Sequence, residues 1–223
     1  MAVGHELEAY SRFLNAVEGN ATFYASPSAV TIERWAGQVH SGFRFAFKVP
    51  QEITHRKRLV AIEADLAAFL DLMDPLIDVT GALMVQLPAS FAPVDLPVLA
   101  EVLPQLSHAW RWAVEVRHPG FFGGPARRQL DRMLEAHGVE RVLLDSRSLF
   151  ARPPSTEPGR KEWETKPRVP ALVDALTDRP IVRFIGSDHD DLTISGLQSW
   201  CSVAANWLGE GRTPTVFVHT PDN

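Results

Sequence analysis

The chain has 223 residues, 45% hydrophobic and 22% charged, which is ordinary globular composition and long enough for one large domain or two small ones. A formal charge of -5 and a pI near 5.9 exclude a surface that binds nucleic acid or anionic membrane over its whole area, though not a local basic pocket. The single Cys201 excludes an intramolecular disulfide, no apolar stretch approaches the roughly 20 residues of a membrane span, and no secretory leader opens the chain, so a cytoplasmic setting without membrane contact is expected.

Helical spacing of Leu7, Tyr10, Phe13 and Leu14 predicts a first helix over 5–14, followed by the strand-like run AVEGN. Ser26 and Pro27 suit the start of a second helix over 27–40, with Val30, Trp35 and Val39 as its buried face. In the next run, FAFKVP, Phe45 and Phe47 alternate with Ala46 and Lys48, which turns the phenylalanines toward helices. The basic segment Thr54 to Arg58 reads as a solvated first turn of a helix over 56–78, and nucleic-acid contact there is the weaker reading. After LMVQLP a helix over 95–106 follows Pro93, and after AVEVRHP another runs over 125–137 and stops at Gly138. VLLDSR leads into 148–170, a stretch dense in proline and charge that predicts an extended excursion, placed where a lid could sit. VRFIGSD, a helix over 194–208 ending at Gly209, and VFVHTPDN complete the chain. Cys201 and the tryptophans are assigned to packing.

Strict alternation of short apolar strands with helices implies right-handed βαβ units and a parallel sheet. No GxGxxG or Walker loop follows the first strand, which favours an α/β fold of TIM-type (β/α) barrel class over a doubly wound sheet. Only seven strand-like runs are found, and each ends in polar side chains, which buried parallel strands do not otherwise carry.

The order and spacing of VEGNATFY, FRFAFKVPQEITH, VQLPASF, VEVRHPGFF, VLLDSR, VRFIGSD and FVHTPDN resemble the YecE-like family, domain of unknown function 72 (DUF72). The resemblance covers nearly the whole chain and implies a single TIM-type barrel over 1–223, with no established activity. It also implies a strand before the first helix and a helix after TPDN, both absent from this chain.

Barrel active sites lie at the carboxyl ends of the strands, so the polar endings are the candidate site. Glu115, Asp145, His118 and His219 are the acid-base candidates. Glu18, Asn20, Lys48, Gln86, Arg117, Arg147, Arg183, Asp188 and Asp222 are the candidate ligand-binding residues. Lys48 and the arginines suit a small anionic or phosphorylated ligand, with backbone donors from Gly186, Ser187 and Asp188. This fits a hydrolase or isomerase. A divalent metal among Glu18, Glu115, Asp145, His118 and His219 is the less favoured reading, because those same arginines would repel it. A nucleic-acid-binding or repair-associated barrel would use the same rim to track phosphates. A noncatalytic scaffold would instead pair these charges internally.

Overall fold

A computed structural model describes residues 6–221, so Asp222 lies outside the described residues. The chain divides into two compact units, Met1–Leu87 with Pro97–Ala113 and Pro88–Leu96 with Val114–Asn223.

The first unit runs through α1 (Glu6–Ser11), β1 (Ala16–Gly19), α2 (Ala21–Tyr24), α3 (Ala29–Gly37), β2 (Arg44–Lys48), α4 (Glu63–Met73) and β3 (Thr80–Gln86). Most of α5 (Leu96–Val102) also belongs to it, and β4 (Trp112–Glu115) begins in it and ends in the second unit. The strands β1, β2 and β3 are parallel neighbours, with Glu18 beside Ala46 and Lys48 beside Met84. Because side chains alternate, Glu18, Ala46, Lys48, Ala82, Met84 and Gln86 share one face, and Phe45, Phe47, Leu83 and Val85 share the other. That second face is covered by α3, whose Trp35 stacks on Phe47 with ring centroids 5.9 Å apart, so the phenylalanines do turn toward a helix.

In the second unit come α6 (Gly124–Ala136), β5 (Glu140–Arg141), β6 (Leu143–Asp145), α7 (Glu157–Thr165), β7 (Ile181–Ile185), α8 (Asp190–Gly209) and β8 (Thr215–His219). β6, β7 and β8 form a parallel sheet in that order. Leu143, Val182 and Phe184 pack against Trp200 and Trp207 of α8 on one face, with Val216 at the margin. Arg183, Ile185, Phe217 and His219 therefore occupy the opposite face, together with Leu144. α8 comes close to β7 because residue 196 is glycine: a Cβ there would lie 2.7 Å from the Phe184 ring and overlap the Ser148 hydroxyl. A staple holds the opposite end of the strands: buried Glu140 accepts from the Leu176 and Thr177 amides at 3.1 and 3.0 Å, and Arg141 pairs with Asp131.

Several local expectations are corrected. α3 starts at Ala29 with Ser28 as its cap, accepting from the Thr31 amide, so Val30 points to solvent and Ile32 is the buried residue. No helix begins at 56; a single π-turn spans Glu52–Arg56, and Arg58, Leu59 and Ala61 take left-handed backbone before α4 starts at Glu63. The basic charges there are met locally, Arg56 by Glu52 and Lys57 by Asp65. β4 stops at Glu115, which leaves Arg117 and His118 in the following loop. VLLDSR holds β6 and is preceded by a separate short strand, β5, which brings the strand segments among the described residues to eight. The excursion 148–170 contains a nine-residue helix, α7, because Thr156 accepts from the Gly159 amide and Pro158 suits a first turn. α8 starts at Asp190, where two aspartates favour its amino end, and the left-handed glycine after it is Gly211 rather than Gly209. Cys201 is exposed, so the thiol is not part of the core.

Candidate functional site

In the second unit, Glu115 ends β4 and Arg183 sits mid-strand in β7, whose hydrogen-bonded neighbours are β6 and β8. The two side chains still meet, with Arg183 Nη1 donating to Glu115 Oε2 at 2.6 Å, and both are at most 2% exposed. The other carboxylate oxygen, Oε1, accepts from Arg117 Nε at 2.7 Å. Arg183 also approaches His219 at the end of β8, with Nη2 3.4 Å from Nε2. A guanidinium can only donate, so His219 Nε2 accepts and the ring proton lies on Nδ1. The result is a continuous row, Arg117, Glu115, Arg183 and His219, in which two guanidinium charges share one carboxylate. Arg117 is its more accessible end, with 19% of its side chain exposed.

Asp145 does not join this row. It lies beside Phe184 in register, which puts its side chain on the α8 face, where Trp200 Nε1 donates to Oδ2 at 2.8 Å. Arg147 completes the contact by donating from Nε and Nη2 at 3.0 and 2.9 Å, with most of its own side chain in solvent. Burial pushes the Asp145 carboxyl up, but the bonds from Arg147 and Trp200 outweigh it and hold the group below the usual carboxylate range. An aspartate so held is a poor proton donor or acceptor at neutral pH. Strand alternation thus separates Asp145 and Arg147 from Glu115, with which their strand-end positions group them.

His118 uses Nδ1 to accept from the Gly120 amide at 3.1 Å, capping a short 3-10 turn over Pro119–Phe121. Asp188 fastens the excursion: its Oδ2 accepts from the Ser155 amide and hydroxyl and the Thr156 amide at 2.7, 2.9 and 2.6 Å. Burial pushes this carboxyl up, yet those donors bring it down to about 2. Two of the three backbone amides expected to cradle an anion are spent within the fold, Gly186 on the His219 carbonyl and Ser187 on the Thr193 hydroxyl.

In the first unit, Lys48 Nζ pairs with Glu18 Oε1 at 3.0 Å, and both side chains are at least 91% buried. Thr22 donates to the Lys48 carbonyl at 2.7 Å, and the ammonium lies 5.9 Å from the centroid of the Phe23 ring. Gln86 is buried one step farther along the same face of β3. Asn20 is exposed and sits beyond the end of β1, at the amino end of α2. Among the described residues, no group of three His, Cys, Asp or Glu side chains is disposed to hold a metal ion. Nor is any described helix long and apolar enough to cross a membrane.

Trp200 does more than pack, because its indole fixes Asp145, and nothing local in the sequence links it to an aspartate 55 residues earlier. Thr54 falls in the segment whose composition suggests a solvated basic turn, yet it is fully buried.

The family model described as "Protein of unknown function DUF72" matches residues 1–223. The UPF0759 protein YecE of Escherichia coli K12 is 41% identical over 217 residues, 97% of this chain and 79% of that protein. Its counterpart in strain O157:H7 is 40% identical over the same coverage. Among solved structures, a DUF72 family protein from Enterococcus faecalis V583 aligns with a TM-score of 0.75 at 19% identity, covering 98% of this chain and 88% of that one. Another from Thermotoga maritima MSB8 aligns with a TM-score of 0.70 at 20% identity, covering 99% and 84%. The chain belongs to the DUF72 family, and these structures share its α/β fold.

Proposed function

We propose that this DUF72 protein is a cytoplasmic enzyme of hydrolase or isomerase type that binds a small anionic or phosphorylated substrate at the carboxyl ends of β4, β7 and β8. The observation that carries this reading is the row in which Arg117 and Arg183 share the one buried carboxylate of Glu115. Glu115 holds the Arg183 guanidinium in a fixed direction, and Arg117 completes a clamp for a planar or tetrahedral anion. His219, with its proton on Nδ1, supplies an acid-base group whose orientation is set by Arg183. His118 stands in the loop that follows Glu115 as a second imidazole.

The same reading takes the fold as a TIM-type (β/α) barrel. What supports it is that β4 and β7 are not neighbours, yet Glu115 and Arg183 touch, as they would across a concave inner face. Strand ends on such a face are where barrel enzymes bind substrate.

A calorimetric titration with inorganic phosphate tests the proposal. The native protein should bind, and Arg117→Gln should weaken binding by about tenfold or more, the value of one charge-assisted hydrogen bond. Absence of binding at millimolar phosphate, or equal affinity in the variant, would overturn it.

A further inference from the structure

The excursion 148–170 returns toward the second unit's sheet through a short limb, Pro167 to Val169. Val169 is buried in one cluster with Leu144, Leu149 and Ile185, against which Phe122 and Phe150 also pack. Leu144 and Ile185 belong to the face of the sheet that carries Arg183 and His219. Ile185 is two positions beyond Arg183 on β7, and its register partner on β8 is His219 itself. Phe122 comes from the loop that follows Glu115, Arg117 and His118. The apolar cluster thus draws on the same face and the same loop as the row, on the carboxyl side of Arg183, and a residue of the excursion covers it. Two polar fastenings accompany this plug: the Ser146 hydroxyl donates to the Pro167 carbonyl at 2.8 Å, and Asp188 holds Ser155 and Thr156. A segment secured by one buried valine and a few hydrogen bonds opens locally well before its domain unfolds.

Beside the plug stands Arg168, exposed, with its guanidinium 5.3 Å from the centroid of the Phe150 ring. Trp163 backs that ring from a centroid distance of 5.0 Å. Other cations of the excursion are spent on acids, Arg152 on Asp191, Arg160 on Glu157 and Lys166 on Glu162. Arg168 enters no hydrogen bond or ion pair among the described residues, so the ring orients it while its N–H donors stay available. A planar cation with available donors, one residue from a plug that packs on the row's own face, is suited to meet an anion from above.

We propose that Arg168 is a further ligand-binding residue, carried by the excursion as a lid over the Arg117–Glu115–Arg183–His219 row, so that anion binding and lid closure are coupled. This rests on the anion site proposed above. An anion held at the row accepts from Arg168 and ties the limb down; without one, the plug and its hydrogen bonds hold the limb alone. Hydrogen exchange of the full chain, read by mass spectrometry with and without inorganic phosphate, tests the coupling. Saturating phosphate should slow exchange of the amides over 160–169 by about tenfold, the worth of one charge-assisted hydrogen bond. Arg168→Gln should abolish that slowing, and because Arg168 is exposed the replacement does not threaten the fold. Lys161→Gln removes the same charge from α7 and should leave the slowing intact. The Nε–H resonance of Arg117, followed in the same phosphate titration, separates the two claims. If it shifts while exchange over 160–169 stays unchanged, or slows equally in Arg168→Gln, the lid contact is overturned and the anion site stands. If it does not shift, the anion site falls and the lid contact falls with it.

Discussion

At the scale of single residues, the decisive contact is Glu115 with Arg183. Both are buried, so removing one partner breaks a buried ion pair. Glu115→Gln should cost about 3–5 kcal/mol in urea unfolding, and the double replacement Glu115→Met with Arg183→Met should recover much of that loss. A loss under about 1 kcal/mol would mean that the pair is hydrated rather than buried. Asp188 gives a pH signature. Its folded pKa, about 2, lies below the ordinary aspartate value of about 3.9, so its contribution is complete above that value and is lost as pH falls toward 2. Limited proteolysis between Ser148 and Lys166 should therefore accelerate as pH drops from about 4 to 2, using an acid-active protease. In Asp188→Asn it should be fast already at pH 4 and change little on further acidification. The residue types of the Arg117–Glu115–Arg183–His219 row were legible in the sequence, because charged groups at the ends of apolar runs need a reason. Their pairing was not. Glu115 and Arg183 are 68 positions apart, and only the tertiary fold joins them.

Elements were legible where periodicity carried them and obscure where the backbone departed from it. All seven apolar runs correspond to strands, and α6 ends as its glycine foretold, with Gly138 at φ 64°. The π-turn after β2 was invisible because His55, Arg56, Lys57 and Arg58 have the composition of an ordinary helical turn. Ala61 is exposed and left-handed, so Ala61→Gly should raise stability by about 1 kcal/mol, measured by thermal unfolding. A decrease would show that the turn is not strained there. Conversely, Gly196→Ala should destabilise by about 1–3 kcal/mol, because a methyl there forces α8 away from Phe184 and Ser148. Alternation explains the correction at Asp145: Glu115 lies on the row's face, whereas the register of β6 with β7 puts Asp145 beside Phe184, under α8. Sequence position at a strand end does not say which face that end presents.

For the molecule as a whole, the α/β class and parallel strand order were legible because strand and helix periodicities alternate along the chain, and family membership agrees. The division of polar groups into chemically distinct sets was not, since Lys48 and Arg117 look alike as strand-end cations. The structure separates them by partner: Lys48 pairs with Glu18, while Arg117 and Arg183 both bond the carboxylate of Glu115. That difference is the core of the functional reading, and arginine side-chain NMR reads it directly. Titrating inorganic phosphate into nitrogen-15 labelled protein should shift the Nε–H resonances of Arg117 and Arg183 together in a saturable way, leaving Arg141 and Arg212 unmoved. Shifts spread evenly over exposed arginines, or none at Arg117 and Arg183, would contradict an anion site at Glu115.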